Sequence, residues 1–105
     1  MKLLTLEFIE TMKNYPLYSQ EKEKDPTVVA KFFNPCGSQT WYITEYSPEE
    51  KIAFGYVTRM GFDEFGYISI EELEGIKLPF GLTIERDCHF KPCRLSECSS
   101  FTPAE

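Results

Sequence analysis

The sequence has little positive charge. Its 11 Lys and Arg stand against 17 Asp and Glu, with a single His, which gives a net charge of −6. Nucleic acids and anionic membranes bind clustered Lys and Arg, so this charge balance argues against both as partners. It suits solubility, or attraction to a basic protein partner.

The sequence also lacks a long hydrophobic run. The N-terminal stretch MKLLTLEFIETMK is interrupted by Glu7 and Glu10, and no small-residue cleavage site follows it. A signal peptide needs a continuous apolar segment, and a membrane-spanning helix needs about 20 apolar residues. We therefore expect a cytoplasmic protein without a membrane segment, in which the four cysteines stay reduced.

Proline and glycine are few, and the chain has no repeat or low-complexity segment. Aromatic residues are plentiful instead, with nine Phe, six Tyr and one Trp. Each buried ring removes roughly 150–250 Å² from water, so a chain of this length can build one core. We predict a single domain over residues 1–93 and a loosely held polar tail over residues 94–105.

The pattern of the chain predicts an α+β fold. Thr5 has the chemistry of a helix N-cap, and the capping box formed by Ser69 and Glu72 predicts a second short helix. Alternating apolar residues predict strands at 27–34, 39–46 and 52–59, with shorter extended segments at 65–69 and 82–90. Gly55 within a strand predicts a bulge or a close neighbour. We expect an antiparallel sheet of three to five strands flanked by two short helices.

Two long segments carry a resemblance to a known family. WYITEYSPEEKIAFGYV and EFGYISIEELEGIKLPFGLTIERDCHFKP resemble the domain-of-unknown-function 2958 family, and the likeness runs from MKLLT to about Pro92. The resemblance implies a small bacterial cytoplasmic protein, often carried on plasmids and other mobile elements, and it supplies no catalytic residue. Members usually have apolar or aromatic residues at the positions of Cys88 and His89, so this chain departs from the pattern there.

Four potential metal ligands lie near the C-terminus: Cys88, His89, Cys93 and Cys98. Structural zinc normally uses closely spaced pairs such as C-x(2)-C, which this segment lacks. Adjacent residues on a strand point to opposite faces, which also argues against a nucleophile and base formed by Cys88 and His89. We predict no metal, no cofactor and no catalytic residue.

A second interpretation is a small hydrolase or nucleotide-processing enzyme. It would use Glu45, Glu85, Arg86 and Asp87, which must then converge in one pocket with at least one carboxyl of perturbed pKa. Solvent-facing charges or a structural ion pair explain the same residues without any chemistry. The sequence therefore favours a non-enzymatic protein over an enzyme.

A third interpretation concerns the aromatic strands. Tyr42 and Tyr46 are predicted on the face of their strand that tolerates water, and they could stack on single-stranded nucleic acid. Such platforms sit in a basic groove, whereas only Lys31 and Arg59 are nearby. The same rings could instead contact a protein partner.

The segment from Asp63 to Glu74 carries five acids and no base. Such a run could imitate a phosphate backbone and occupy the basic groove of a host nucleic-acid enzyme. We therefore expect a non-enzymatic protein-binding module associated with mobile elements, present as a monomer or weak homodimer. The candidate contact residues are Tyr42, Tyr46, Asp63, Glu64, Glu71, Glu72 and Glu74.

Overall fold

The computed structural model describes residues 2–59 and 62–103, and within them an α+β fold. The strands are β1 (Thr27–Val28), β2 (Ala30–Phe33), β3 (Thr40–Ser47), β4 (Ile52–Thr58), β5 (Glu64–Ser69), β6 (Glu85–Arg86) and β7 (Cys93–Arg94). The α-helices are α1 (Leu6–Thr11), α2 (Ile70–Gly75) and α3 (Leu95–Cys98), and single 3₁₀ turns form at Met12–Asn14 and Pro79–Gly81.

The main sheet has five antiparallel strands in the order β5-β4-β3-β2-β6, and β1 and β7 form a separate two-stranded ladder. Strands β2 to β5 are neighbours in chain order because their connections are short, which confirms the predicted meander. The predicted fold class is confirmed. The third helix and the β1–β7 ladder were not predicted.

Both predicted helix starts are present. The Thr5 hydroxyl accepts the N–H of Phe8 at 3.1 Å and begins α1. The Ser69 hydroxyl accepts the N–H of Glu72 at 3.3 Å and begins α2, which ends at Gly75. These local bonds satisfy backbone donors that the first turn of a helix leaves free.

A β-bulge in β3 changes which side chains face each side of the sheet. Ile43 pairs with Gly55, whereas Glu45 pairs with Phe54, so Thr44 is an extra residue in β3. Because one extra residue reverses the alternation, Tyr46 faces the same side as Ile43. The close approach predicted at Gly55 is confirmed, since a Cβ there would lie 2.1 Å from the carbonyl oxygen of Tyr42.

The two faces of the sheet pack against different segments. Helices α1 and α2 cover one face and form the main core, which buries Leu3, Phe8, Met12, Val29, Phe32, Trp41, Ile43, Tyr46, Ala53, Val57, Ile68, Ile70, Leu73 and Ile84. The C-terminal segment covers part of the other face, where a smaller cluster buries Val28, Tyr42 and Leu95.

The C-terminal segment differs from the predicted loose tail. Arg94 pairs with Thr27 across the β1–β7 ladder, and Leu95 is fully buried. The Leu95 N–H also donates to the Pro26 carbonyl at 2.9 Å. Leu95 is an isolated apolar residue in a polar stretch, so its docking depends on contacts with a distant part of the chain that local pattern does not reveal.

The described helices are short, with at most six residues. None of those helices combines the length and the hydrophobicity needed to cross a bilayer.

Candidate partner-binding surface

The face opposite α1 and α2 carries a row of aromatic side chains on β4 and β5. Phe54 pairs with Tyr67 across the two strands, and Tyr56 pairs with Phe65. Residues two apart on a strand point to the same side, so all four rings share this face. Phe54 and Phe65 stack in parallel with centroids 6.0 Å apart, and Tyr67 meets Phe54 edge-on at 5.2 Å.

The C-terminal segment closes one end of this row. Phe101 contacts Tyr56 edge-on at 5.2 Å and Phe65 at 5.4 Å. The other end stays open, since Tyr67 is 60% exposed to solvent, and Phe65 keeps 40% exposure despite its contact with Phe101. Large exposed rings set side by side are uncommon on a surface without a binding role.

The loop before β1 forms a wall beside the open end. The N–H groups of Tyr18 and Gln20 donate to the two carboxylate oxygens of Glu45, at 2.8 Å each. The Gln20 side chain donates to the carbonyls of Thr27 and Thr44, at 2.9 Å each, and accepts the Thr27 N–H at 2.7 Å. The loop is therefore tied to β1 and β3, which fixes the shape of the wall.

The wall and the aromatic row enclose an open cleft of about 310 Å³, which we call the aromatic cleft. A side-chain hydrogen bond with Tyr18, in which the Tyr67 hydroxyl donates, raises the pKa of Tyr67 because it favours the protonated hydroxyl. The cleft is lined by Tyr18, Gln20, Glu21, Glu23, Pro26, Thr44, Glu45, Phe54, Phe65 and Tyr67. The lining carries three carboxylates and, among the described residues, no Lys or Arg.

This combination of rings and carboxylates suits a cation. The face of an aromatic ring attracts an ammonium or guanidinium group within about 6 Å. Glu21 and Glu23 are exposed to solvent, whereas Glu45 is buried. Both oxygens of Glu45 already accept backbone N–H groups. Its carboxylate therefore holds the loop in place and can attract a cation electrostatically, without a direct hydrogen bond to it.

A sequence model of one family matches this chain. It is the DUF2958 family, described as a protein of unknown function, and the match spans residues 3–102. The chain belongs to the DUF2958 family. This confirms the resemblance drawn from the sequence motifs and extends it past Pro92 through α3. No curated protein and no solved structure matches this DUF2958 chain.

Two predicted contact residues of the DUF2958 protein are buried. Tyr42 is 8% and Tyr46 3% exposed, so the expectation that both tolerate water on one open face is wrong. The C-terminal segment covers Tyr42, and the bulge turns Tyr46 into the core against Phe8. Burial raises the pKa of both hydroxyls. Neither ring offers the exposed face that stacking on nucleic-acid bases requires, so that alternative is not supported.

The predicted acidic run divides into two groups. Asp63 and Glu64 lie at the start of β5, whereas the other three acids, Glu71, Glu72 and Glu74, lie on α2 beyond its end. A strand of six residues separates the groups by about 20 Å. A role of these acids in binding stays a prediction.

Several acids of the run already have partners within the chain. The carboxylate of Glu74 accepts the N–H groups of Leu3 at 2.7 Å and Leu4 at 3.3 Å. Glu71 lies 3.1 Å from Lys51, and Glu64 lies 3.9 Å from Arg59. Fewer free charges therefore remain than the sequence suggests.

The four residues of the predicted enzyme site do not converge. Glu45 lines the aromatic cleft, whereas Arg86 and Asp87 line a different cleft of about 290 Å³ beside α1. Arg86 donates to the Thr5 hydroxyl at 3.0 Å, and Asp87 lies 3.8 Å from Lys31. Arg86 sits opposite Phe32 of the main core, which places it on the helix-covered face, away from Glu45. Glu85, also on β6, lines neither cleft.

The cysteines and the histidine fall into two places. Cys88 and His89 are exposed on the turn after β6, where the Asp87 carboxylate accepts the His89 N–H at 3.0 Å. Cys93 and Cys98 belong to β7 and α3. Across residues 2–59 and 62–103, His, Cys, Asp and Glu form no group of three or more suited to a metal ion.

The sequence reasoning missed the rings that line the cleft: Tyr18, Phe54, Phe65 and Tyr67. A signal for three of them was present. Phe54 and Tyr56 are two residues apart in one strand, and Phe65 and Tyr67 are two apart in the next. Two adjacent strands with this spacing predict a shared aromatic face. Tyr18 had no comparable signal, because its place depends on the Glu45 contact.

Proposed function

We propose that this DUF2958 protein is a non-enzymatic binding protein whose aromatic cleft receives a Lys- or Arg-bearing segment of a protein partner. The supporting observation is the open end of the aromatic row beside three carboxylates. A basic segment satisfies both parts of this lining at once, because its charged heads meet the carboxylates and rings while its alkyl stems cover apolar surface.

The charge of the whole chain supports the same partner. A net charge of −6 attracts a basic surface over distances of about a Debye length, or roughly 8 Å at physiological salt. Such attraction raises the association rate more than it raises the final affinity. We therefore expect binding that weakens as salt concentration increases.

The mobile-element context implied by the family resemblance suggests which class of basic protein is the partner. The family resemblance implies a cytoplasmic protein that is often carried on mobile elements. Host enzymes that act on such elements bind nucleic acid through clustered Lys and Arg. We propose a basic segment of a host nucleic-acid enzyme as the occupant of the cleft.

A titration with short peptides tests the cleft directly. A hexapeptide of arginine is added to the isotope-labelled protein, and backbone amide shifts are followed by NMR. We expect the largest shifts around Phe65, Tyr67 and Glu21, and much smaller ones with a hexapeptide of citrulline, which has the same shape without the charge. Equal shifts with both peptides would contradict recognition of charge.

Matched variants separate the cleft from the general acidity of the chain. Tyr67→Ala should weaken arginine-peptide binding by about 5- to 10-fold, whereas Phe62→Ala, an exposed ring outside the cleft, should leave it unchanged. The pair Glu21→Gln/Glu23→Gln should weaken it several-fold, and Glu49→Gln/Glu50→Gln, on the exposed turn after β3, should change it less than about twofold.

The partner itself is sought by affinity capture from host lysate. A protein retained by the native chain and lost with both Tyr67→Ala and Glu21→Gln/Glu23→Gln supports the proposal. Repeated capture that retains no such protein, or retains it equally with these variants, removes the proposed function.

A further inference from the structure

Two cysteines flank the start of α3. Cys93 lies opposite Val28 in the β1–β7 ladder, and Cys98, in the last position of α3, packs against the cluster of Val28, Tyr42 and Leu95. Both side chains are half-buried. They therefore lie beside the same apolar cluster, Cys93 on the ladder and Cys98 on the helix.

Helix geometry places the two cysteines at neighbouring positions. Arg94 is the N-cap of α3, so Cys93 precedes the cap and Cys98 is the fourth helical residue. Side chains at these two positions normally pack against each other across the first turn. Cys98 Sγ lies 3.4 Å from the carbonyl oxygen of Arg94, the residue next to Cys93, and Cys93 is one of the groups that raise the pKa of Cys98.

The segment that holds the pair is well anchored. The Arg94 N–H donates to the Glu97 carboxylate at 3.1 Å. The Asp25 carboxylate accepts the N–H of Ser96 at 2.9 Å and its hydroxyl at 2.5 Å. These bonds fix the first turn of the short helix, so the fold sets how Cys93 and Cys98 lie relative to each other.

We propose that Cys93 and Cys98 form an intramolecular disulfide by exchange with a low-molecular-weight disulfide such as oxidised glutathione. This inference does not depend on the proposed function. The product is a covalent ring from Cys93 to Cys98 that fixes α3 on β7, beside the aromatic row.

The exchange takes place in two balanced steps. The Cys93 thiolate attacks one sulfur of oxidised glutathione, and the S–S bond breaks to release one glutathione thiolate, which takes up the proton that Cys93 lost. The Cys98 thiolate then attacks Cys93 Sγ, and the mixed disulfide breaks to release the second glutathione thiolate, which takes up the proton that Cys98 lost. The two protein sulfurs are oxidised, and the glutathione disulfide is reduced to two thiols.

The environment of Cys98 fits the second of these roles. Its pKa is raised to about 12, first by burial and then by the hydrogen bond and the charge of Cys93. The two contributions from Cys93 end once Cys93 is held in a mixed disulfide. Cys98 is therefore a poor first nucleophile and a better one after Cys93 has reacted.

The other two cysteines provide a contrast within the same chain. Cys36 is exposed on the turn between β2 and β3, and Cys88 is exposed on the turn after β6. Each lies alone on its turn, so reaction with oxidised glutathione should stop at a mixed disulfide. Glutathione addition and internal disulfide formation differ in mass, which separates the two outcomes.

The experiment uses a full-length Cys36→Ser/Cys88→Ser chain, exposed to oxidised glutathione while folded and examined by mass spectrometry. We expect the mass of the protein to fall by about 2 Da, with no glutathione attached to it. Trypsin cleaves after Arg86 and Arg94, so the disulfide should join the peptides 87–94 and 95–105. A Cys36→Ser/Cys93→Ser chain, which keeps Cys88 and Cys98, should give glutathione adducts instead.

Two results would overturn the inference. The first is a Cys36→Ser/Cys88→Ser chain that keeps free thiols or gains glutathione under conditions that modify Cys88 in the native sequence. The second is a ratio of internal disulfide to glutathione adduct that is no higher in the folded chain than in about 6 M urea, since the fold would then not position the thiols.

Discussion

Gly55 occupies a position at which the sheet has no room for a side chain. A Cβ on residue 55 would lie 2.1 Å from the carbonyl oxygen of Tyr42, because β3 is bulged beside this residue. Such a clash involves backbone atoms, which cannot turn aside as a flexible side chain can. Tertiary packing therefore requires glycine here, although the backbone of Gly55 does not adopt a positive φ angle.

We predict that Gly55→Ala lowers the free energy of unfolding by at least about 2–3 kcal/mol. Gly66→Ala is a matched control, because Gly66 lies directly opposite Gly55 in β5 and its Cβ would meet no atom within 4 Å. The control should change stability by less than about 0.5 kcal/mol. Urea unfolding measures both, and equal effects would contradict the steric argument.

Glu45 is buried because it serves the backbone of the loop before β1. Its carboxylate satisfies the N–H groups of Tyr18 and Gln20, and Tyr18 holds a left-handed conformation with φ of 71°. An amide at this position keeps one acceptor but presents an N–H to a backbone donor. The loss of stability is then greater than the loss of one hydrogen bond would cause.

We expect Glu45→Gln to lower the free energy of unfolding by about 2 kcal/mol, because one backbone N–H loses its acceptor. Glu85→Gln, at a half-buried carboxyl on β6, should have a smaller effect. Chemical denaturation compares the two. If Glu85→Gln proves the more damaging change, Glu45 does not hold the loop.

At the scale of the element, α3 depends on a carboxylate from another part of the chain. The Ser96 hydroxyl, and then its N–H and the charge of Arg94, lower the pKa of Asp25 below its ordinary 3.8, against the opposing effect of burial. Because the folded state favours the charged carboxylate, Asp25 adds stability above its ordinary pKa. That stability is lost as pH falls through the lowered folded value.

The native chain should therefore be more stable than Asp25→Ala at about pH 6, and the difference should shrink toward about pH 3. Urea unfolding at both pH values measures it. Ser96→Ala removes the hydroxyl that is the main cause of the lowered pKa and should show a weaker pH dependence. A difference between native chain and Asp25→Ala that stays constant with pH would contradict this account.

At the scale of the whole molecule, the C-terminal segment is part of the fold. It adds β7 to β1, buries Leu95 and places Phe101 at the end of the aromatic row. Without it, Tyr42 and Val28 lose their cover on that face. The open part of the aromatic row is what this segment leaves uncovered.

We predict that a chain ending at Pro92 is less stable than the native chain by about 3–5 kcal/mol, because it loses buried apolar contacts. Leu95→Ala tests the same contacts more gently and should cost about 2–4 kcal/mol, while Ser100→Ala, at an exposed site, should cost less than about 0.5 kcal/mol. Unchanged stability of the shortened chain would show that the C-terminal segment does not contribute to the stability of the fold.

Local interactions explain what could be predicted from the sequence. The caps at Thr5 and Ser69 and the alternation of strands β2 to β5 involve residues a few positions apart, so the sequence alone determines them. The family motifs are likewise visible in the sequence, whereas the need for glycine at position 55 comes from the close approach of Tyr42 on the neighbouring strand. These features identified the fold class and the DUF2958 family.

The tertiary structure alone decided which side chains face a partner. The bulge at Thr44 moved Tyr46 into the core, the docking of Leu95 covered Tyr42, and the bond to Glu45 placed Tyr18 at the cleft. Each of these features joins residues far apart in the chain or depends on strand register. A local sequence pattern encodes neither long-range contacts nor register. Periodicity therefore specified the strands, while long-range packing specified the exposed surface.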